Sequence, residues 1–113
     1  MTKEEYVSIG KKYLDYCPYN DCFYLPDHAS WFNGAYQVAE LKQLGYARVY
    51  YHCVVDEGDI MTDMDYLEAY YPSEFEDALL KFLKSYKEAL VEQKKRSIDK
   101  DFENDWKRIL RCL

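Results

Sequence analysis

The stretch "YARVYYHCVVDEGDIMT" (residues 46–62) has the clearest strand–turn–strand pattern in this sequence. Its first ten residues are dense in tyrosine and valine, which are residue types that favour β-strands. The residues of "DEGD" (56–59) favour a turn, so "DIMT" (59–62) is expected to pair back as the second strand of a hairpin. Alternate side chains of a strand point to opposite faces. The more apolar set, expected to face the core, is Ala47, Val49, Tyr51, Cys53 and Val55.

Before this hairpin, the sequence predicts two helices and one short strand. Residues 2–5 contain a capping box, Thr2 with Glu5, and the helix that follows is expected to continue until Pro18 stops it. "DCFYLP" (21–26) is typical of a short strand. Apolar residues at helical spacing predict a second helix from near Ser30 to Gly45. Those apolar residues are Trp31, Ala35, Val38 and Leu41.

After the hairpin, the sequence predicts only helices. Thr62 is expected to cap a short helix that Pro72 closes, and Ser73 with Glu76 to open a long amphipathic helix through about Gln93. A break in "KKRSID" would separate this helix from a last one. The predicted fold class is α+β, in one domain over residues 1–113: a small antiparallel β-sheet of two to three strands packed against four to five helices, with a helical C-terminal half.

The charges are distributed unevenly along the chain, whose net charge is −6. Residues 49–80 hold nine carboxylates, from Asp56 to Asp77, and neither lysine nor arginine. Carboxylates in the first turn of a helix are favoured by the helix dipole, and this explains about half of them. Like charges gathered on a folded surface repel each other unless a partner compensates. The segment is therefore either a solvated face or a surface that meets a positively charged partner.

No metal or catalytic motif accounts for these acids. An EF-hand loop starting at Asp56 would need glycine at its sixth position, which is Met61, and glutamate at its twelfth, which is Leu67. No phosphate-binding glycine loop accompanies Asp63 with Asp65. The residues that a zinc site would use lack the usual close spacing. Those residues are Cys17, Cys22, His28, His52 and Cys53. We expect no cofactor, no metal and no enzymatic activity.

The N-terminal residues contain no apolar run, so neither a signal peptide nor a membrane span is predicted and the cytoplasm is the expected location. The four cysteines are then expected to be free thiols. Direct binding of nucleic acid is disfavoured, because the sequence pI is about 4.9 and acids are interleaved among the C-terminal bases.

The leading hypothesis is a small acidic binding protein that docks on a basic protein partner. Carboxylates interrupted by tyrosines offer the charges and flat rings that a nucleic-acid-binding groove recognises. In charge and size alone, with no shared motif, the chain is similar to phage-encoded antirestriction and anti-CRISPR inhibitors of nucleic-acid-binding enzymes. The alternative hypothesis is a helix-mediated homodimer or larger structural or regulatory oligomer. The predicted partner-binding residues are Tyr50, Asp56, Glu57, Asp59, Asp63, Asp65, Tyr66, Glu68, Tyr70 and Tyr71.

Overall fold

The computed structural model describes residues 1–25 and 36–111, and the side chains of 1–25 and 36–96. These residues form two helices and seven strands in two antiparallel sheets. The prediction of four to five helices beside a sheet of two to three strands was therefore wrong. In chain order the elements are α1 (Lys3–Gly10), β1 (Tyr16–Cys17), β2 (Cys22–Tyr24), β3 (Gln37–Leu41), β4 (Ala47–Tyr50), β5 (Cys53–Asp56), β6 (Asp59–Thr62), β7 (Tyr66–Ala69) and α2 (Pro72–Arg111).

Helix α1 begins at the predicted capping box. The Thr2 hydroxyl accepts a hydrogen bond from the Glu5 amide at 3.2 Å, and the Glu5 carboxylate accepts one from the Thr2 amide at 3.0 Å. The helix ends earlier than predicted, at Gly10, because the chain turns back there to form β1. Gly10 lies against the Phe23 ring so closely that a Cβ atom would be 2.1 Å from Cζ.

The larger sheet has the strand order β1-β2-β3-β4-β7, with every neighbouring pair antiparallel. Strand β3 (37–41) lies between β2 and β4, so the part of the predicted Ser30–Gly45 helix that falls here was wrong; residues 30–35 lie outside the described residues. Its apolar side chains matched the helical spacing, but here Val38 and Ala39 are both buried within a sheet. A strand with both faces covered loses the alternation that identifies strands.

The predicted single strand over residues 46–55 is two strands. The chain leaves the larger sheet at residues 51–52, and β5 pairs with β6 as the predicted hairpin. Its two turn residues, Glu57 and Gly58, have φ values of +50° and +82°, which are typical of a type I′ turn. Of the apolar set expected to face the core, Ala47, Val49 and Cys53 are buried, and Tyr51 and Val55 are half-buried.

The predicted helix between Thr62 and Pro72 is strand β7 instead. It pairs with β4 in the register Val49↔Leu67 and Arg48↔Glu68. Its tyrosine and alanine residues allow either structure, and the backbone partners offered by β4 decide for the strand. Pro72 opens the next helix rather than closing one, as proline tolerates a first helical turn.

Helix α2 runs unbroken from Pro72 to Arg111, so no break occurs in "KKRSID" (residues 94–99). The apolar side of its first half packs on the larger sheet and on α1. Phe75, Leu79 and Phe82 are fully buried there, and the core also includes the partly buried residues Leu83, Tyr86 and Leu90. Phe75 stacks on Tyr6 of α1 with ring centroids 5.0 Å apart. Helix α2 therefore forms the core together with the larger sheet and α1, while three of the four residues of β7 stay exposed.

Candidate protein-binding surface

Strand β7 is an edge of the larger sheet. Within residues 1–25 and 36–111, no strand pairs with the side of β7 that faces away from β4. Three of its four residues are exposed, and Leu67, whose neighbour Val49 is fully buried, is 39% exposed. An edge strand presents unpaired backbone N–H and C=O groups to any chain that approaches it. The sheet is therefore open on this side.

Exposed apolar side chains are concentrated along this edge. Met64 is 86% exposed and Tyr71 68%, and both lie within a few residues of the β7 strand. Isolated exposed apolar residues are normal on a protein surface, whereas a contiguous group indicates contact with a partner. We call the following set the β7 edge surface: Asp63, Met64, Asp65, Tyr66, Leu67, Glu68, Tyr70, Tyr71, Glu74 and Asp77.

The carboxylates of the β7 edge surface come from three neighbouring elements. Asp63 and Asp65 precede β7, Glu68 lies on it, and Glu74 and Asp77 belong to the first turns of α2. A groove of about 300 Å³ lies between the strand and the helix. It is lined by Leu67, Glu68, Ala69, Glu74, Asp77, Ala78 and Lys81.

Glu74 has a local structural role as well. One of its carboxylate oxygens accepts hydrogen bonds from the backbone amides of Tyr70 and Tyr71, at 3.2 and 3.1 Å. These contacts fix the chain where β7 turns into α2. They take the place of the capping box predicted for Ser73 and Glu76. The Glu76 carboxylate instead accepts a hydrogen bond from the Tyr13 hydroxyl, which follows α1, at 2.7 Å.

Lysine and arginine do not neutralise this surface among the described side chains. Asp65, Glu68 and Asp77 have no lysine or arginine within ion-pair distance in that part of the chain. Lys81, one helical turn beyond Asp77, places its ammonium over the Tyr51 ring, 4.2 Å from the centroid. Arg96 of the C-terminal half pairs with Glu92 at 2.6 Å. Asp65, Glu68 and Asp77 thus keep their negative charge without a lysine or arginine counter-charge among the described side chains.

Tyrosines cover the outer face of the sheet beside the edge. Tyr50 and Tyr66 are opposite each other in the β4–β7 register, with ring centroids 5.8 Å apart. The Arg48 guanidinium lies over the Tyr66 ring at 4.3 Å and pairs with Glu40 at 3.8 Å. The side chains of Arg48, Tyr50 and Tyr66 thus form one aromatic and polar face. It carries both charge signs, so the excess negative charge belongs to the edge rather than to this face.

The ten predicted partner-binding residues fall into two groups. Seven belong to or adjoin the edge: Tyr50, Asp63, Asp65, Tyr66, Glu68, Tyr70 and Tyr71. The other three, Asp56, Glu57 and Asp59, lie at the turn of the β5–β6 hairpin. That turn contacts α2 through Gln93, which donates to the Gly58 carbonyl at 2.6 Å. Asp77 and Gln93 are sixteen residues apart on α2, or about 24 Å along its axis.

The hairpin brings one histidine to two of the acids. Because β5 and β6 pair symmetrically about the turn, His52 lies opposite Asp63, whose amide donates to the His52 carbonyl at 2.8 Å. Ligand atoms of His52, Asp63 and Asp65 lie within 4.8 Å of one another. Hydrogen bonds from the Met64 amide and then from His52 lower the pKa of Asp63. We did not predict this grouping, although the "DEGD" turn fixes a register that pairs residue 52 with residue 63.

The cysteines do not form a metal-binding cluster in the described part of the chain, where the group formed by His52, Asp63 and Asp65 is the one set of at least three metal-ligating side chains that come together. Cys17 and Cys22 are on β1 and β2, and Cys53 is on β5. Burial raises the pKa of Cys53 to about 12, so this thiol stays protonated and unreactive at neutral pH. His28 lies outside the described residues.

Comparison with protein families, with characterised proteins and with solved structures gives no match for this chain. Neither of the described helices combines the length and apolarity that crossing a bilayer demands.

Proposed function

We propose that this chain is a non-enzymatic binding protein that docks on a basic partner through the β7 edge surface. The observation that carries the proposal is the concentration of exposed apolar side chains and unneutralised carboxylates along one open sheet edge. Aromatic side chains supply most of the binding energy at protein interfaces, and complementary charge supplies orientation and association rate. Tyr66, Tyr70 and Tyr71 are the proposed anchors.

The proposed partner is a cytoplasmic nucleic-acid-binding enzyme, which the chain inhibits by occupying its groove. Such a groove is lined by lysine and arginine for the phosphates and by flat surfaces for the bases. The edge offers carboxylates from Asp63 to Asp77 in place of the phosphates, and exposed tyrosine rings in place of the bases.

The test compares two double charge reversals of equal size. Asp63→Lys with Asp65→Lys changes the β7 edge surface, whereas Asp56→Lys with Glu57→Lys changes the hairpin turn. The partner is first captured from source-cell extract on the immobilised wild-type chain and identified by mass spectrometry. We expect the edge variant to bind the purified partner at least about tenfold more weakly, with a smaller dependence on salt, and the hairpin variant to bind within about twofold.

A nucleic-acid competition assay then tests the inhibitory role. The wild-type chain should displace nucleic acid from the partner, and the edge variant should require correspondingly more protein to do so. Equal loss in both double variants would mean that net charge rather than the edge determines binding. Binding that survives the edge variant, in a chain whose circular dichroism is unchanged, would contradict the proposal.

One observation favours a second candidate, an oligomer formed through α2. The helix has 40 residues, a length of about 60 Å, and continues after Arg96, whose bond to the Val55 carbonyl reaches the β5–β6 hairpin at 3.1 Å. The sequence of its last part has apolar residues at helical spacing: Ile98, Phe102, Trp106 and Ile109. Light scattering at micromolar concentration tests this candidate, since a strict monomer excludes it.

A further inference from the structure

Two cysteines are directly opposite each other at the far edge of the larger sheet. In the antiparallel pair of β1 and β2, the register is Cys17↔Cys22. Opposed residues of antiparallel strands point to the same face, with Cα atoms about 4.5–5.5 Å apart. Disulfides span Cα separations of about 4.4–6.8 Å. The backbone therefore holds these two residues at a separation suited to a disulfide, although both are thiols here.

We propose that Cys17 and Cys22 form a redox-modification site, which small disulfides such as oxidised glutathione convert reversibly into an intramolecular disulfide. This inference is independent of the proposed partner binding. Disulfides in reducing compartments are mostly transient and regulatory, and a cysteine pair at a sheet edge, with one thiol only half-buried, fits that class.

The accessibility of the two thiols determines which of them reacts first. Cys17 is half-buried and lines an open cavity of about 200 Å³ together with Tyr19 and Tyr24. Cys22 is buried, and its thiol contacts the Asn20 carbonyl and the Gln37 side-chain amide, each at 3.3 Å. Burial, and then the charge of Glu40, raise the pKa of the Cys22 thiol to about 11. Cys17 is therefore the thiol that meets the external disulfide.

In the first step, the Cys17 thiolate attacks one sulfur of oxidised glutathione. The glutathione S–S bond breaks, one glutathione leaves and takes up the proton that Cys17 lost, and a mixed disulfide remains on Cys17. Cys22 then attacks the Cys17 sulfur and loses its proton to the second departing glutathione. Two protein thiols are oxidised, and one glutathione disulfide is reduced to two thiols.

Cys53 provides an internal control for this chemistry. It is buried on β5, and its register partner is Thr62 rather than another cysteine. The Cys53→Ser variant should therefore form the disulfide like the wild-type chain. The Cys17→Ser variant should form none, and the Cys22→Ala variant should stop at the mixed disulfide with glutathione.

The test equilibrates the full chain with a series of reduced and oxidised glutathione mixtures, followed by acid quenching, alkylation and digestion without reduction. We expect a peptide containing both cysteines to become lighter by two hydrogen atoms and to resist alkylation. If this peptide is also cleaved after Tyr19, which lies between the two cysteines, the disulfide should keep the two fragments joined. The oxidised chain should melt roughly 5 °C higher, because the closed loop restricts the unfolded state.

Three outcomes would overturn the inference. In the first, both thiols remain open to alkylation at every mixture while circular dichroism shows a folded chain. In the second, a glutathione adduct persists on Cys17 of the wild-type chain. In the third, the Cys22→Ala variant, folded by the same criterion, loses two hydrogen atoms like the wild type.

Discussion

The same residue type, tyrosine, has opposite roles in two regions of this molecule. In the aromatic corner, defined by Tyr6, Phe23 and Phe75, all three rings are fully buried. The Tyr6 hydroxyl is satisfied there by the Asp21 carbonyl at 2.7 Å. On the β7 edge surface, Tyr66, at 45%, and Tyr71, at 68%, are exposed. Residues of both helices form the corner with β2, whereas β7 keeps three exposed residues beside α2, so the corner stabilises the fold and the edge is left for contact.

Truncating the corner should have the largest effect on stability. Phe75→Ala removes a ring that is fully buried and stacked on Tyr6 at 5.0 Å. We expect it to lower the free energy of unfolding by about 3–5 kcal/mol, because it removes apolar contacts and leaves a cavity. Urea denaturation followed by circular dichroism measures the change.

Tyr71→Ala is the matched control from the edge, and its expected cost is within about 0.5 kcal/mol. If Tyr71→Ala proved as costly as Phe75→Ala, the edge would be a part of the core, and the division between the two regions would be wrong.

A smaller effect should follow from filling the space beside Phe23. Alanine is favoured over glycine inside a helix by roughly 0.5–1 kcal/mol, so Gly10→Ala would be stabilising if only helix propensity mattered. A Cβ atom there would meet the buried Phe23 ring at 2.1 Å. We therefore expect a net destabilisation of about 1–3 kcal/mol, since overpacking forces the ring out of place. Thermal melting of the purified variant measures it.

Gly58→Ala separates this steric effect from a conformational one. Gly58 has a φ of +82°, and a Cβ atom added to it would meet no other atom within 4 Å. The expected cost of about 1 kcal/mol therefore comes from the left-handed backbone alone. A stabilised Gly10→Ala variant would show that the corner is packed more loosely than its geometry indicates.

The difference between the two regions also explains which predictions succeeded. The α1 capping box and the β5–β6 hairpin depend on residues close in sequence, Thr2 with Glu5 and the turn at Gly58, and both were confirmed. Strand β3 pairs with β2 as well as with β4, and β7 pairs with β4 across the whole β5–β6 hairpin, so these two strands depend on partners outside their own sequence segments. The apolar residues around β3 matched helical spacing, and the helix expected at β7 rested on Thr62 as its cap and Pro72 as its end; pairing with β4 makes both segments strands.

Sequence patterns indicated the composition of the candidate site better than its position. The run of acids and tyrosines was visible without coordinates, but its expected helix is the edge strand β7. Asp56, Glu57 and Asp59 lie apart from the other seven residues, because the β5–β6 hairpin places its turn beside Gln93 of α2. The grouping of His52 with Asp63 was equally inaccessible from charge counts, since it depends on the strand register.

The smallest expected effect lies between the two regions, at Glu76. The Tyr13 hydroxyl, which donates to Glu76 at 2.7 Å, lowers the pKa of this carboxyl below its usual 4.5, and Lys12 at 3.6 Å adds to this. A folded-state pKa below the unfolded one stabilises the protein above the unfolded value, and that contribution disappears as pH falls through the folded value. Glu76→Gln should therefore lower stability slightly at neutral pH and match the wild type in acid.

Urea midpoints of both chains across this acid range measure the effect, and the difference between them should shrink steadily below pH 4.5. Glu74→Gln is the control, because Glu74 binds backbone amides of the edge rather than the α1 region. A difference between wild type and Glu76→Gln that stayed constant with pH would mean that shape rather than charge joins α2 to α1. In that case Glu76 would contribute to stability through packing alone. Of the acids at the start of α2, only Glu74 and Asp77 would then act through their charge, as parts of the β7 edge surface.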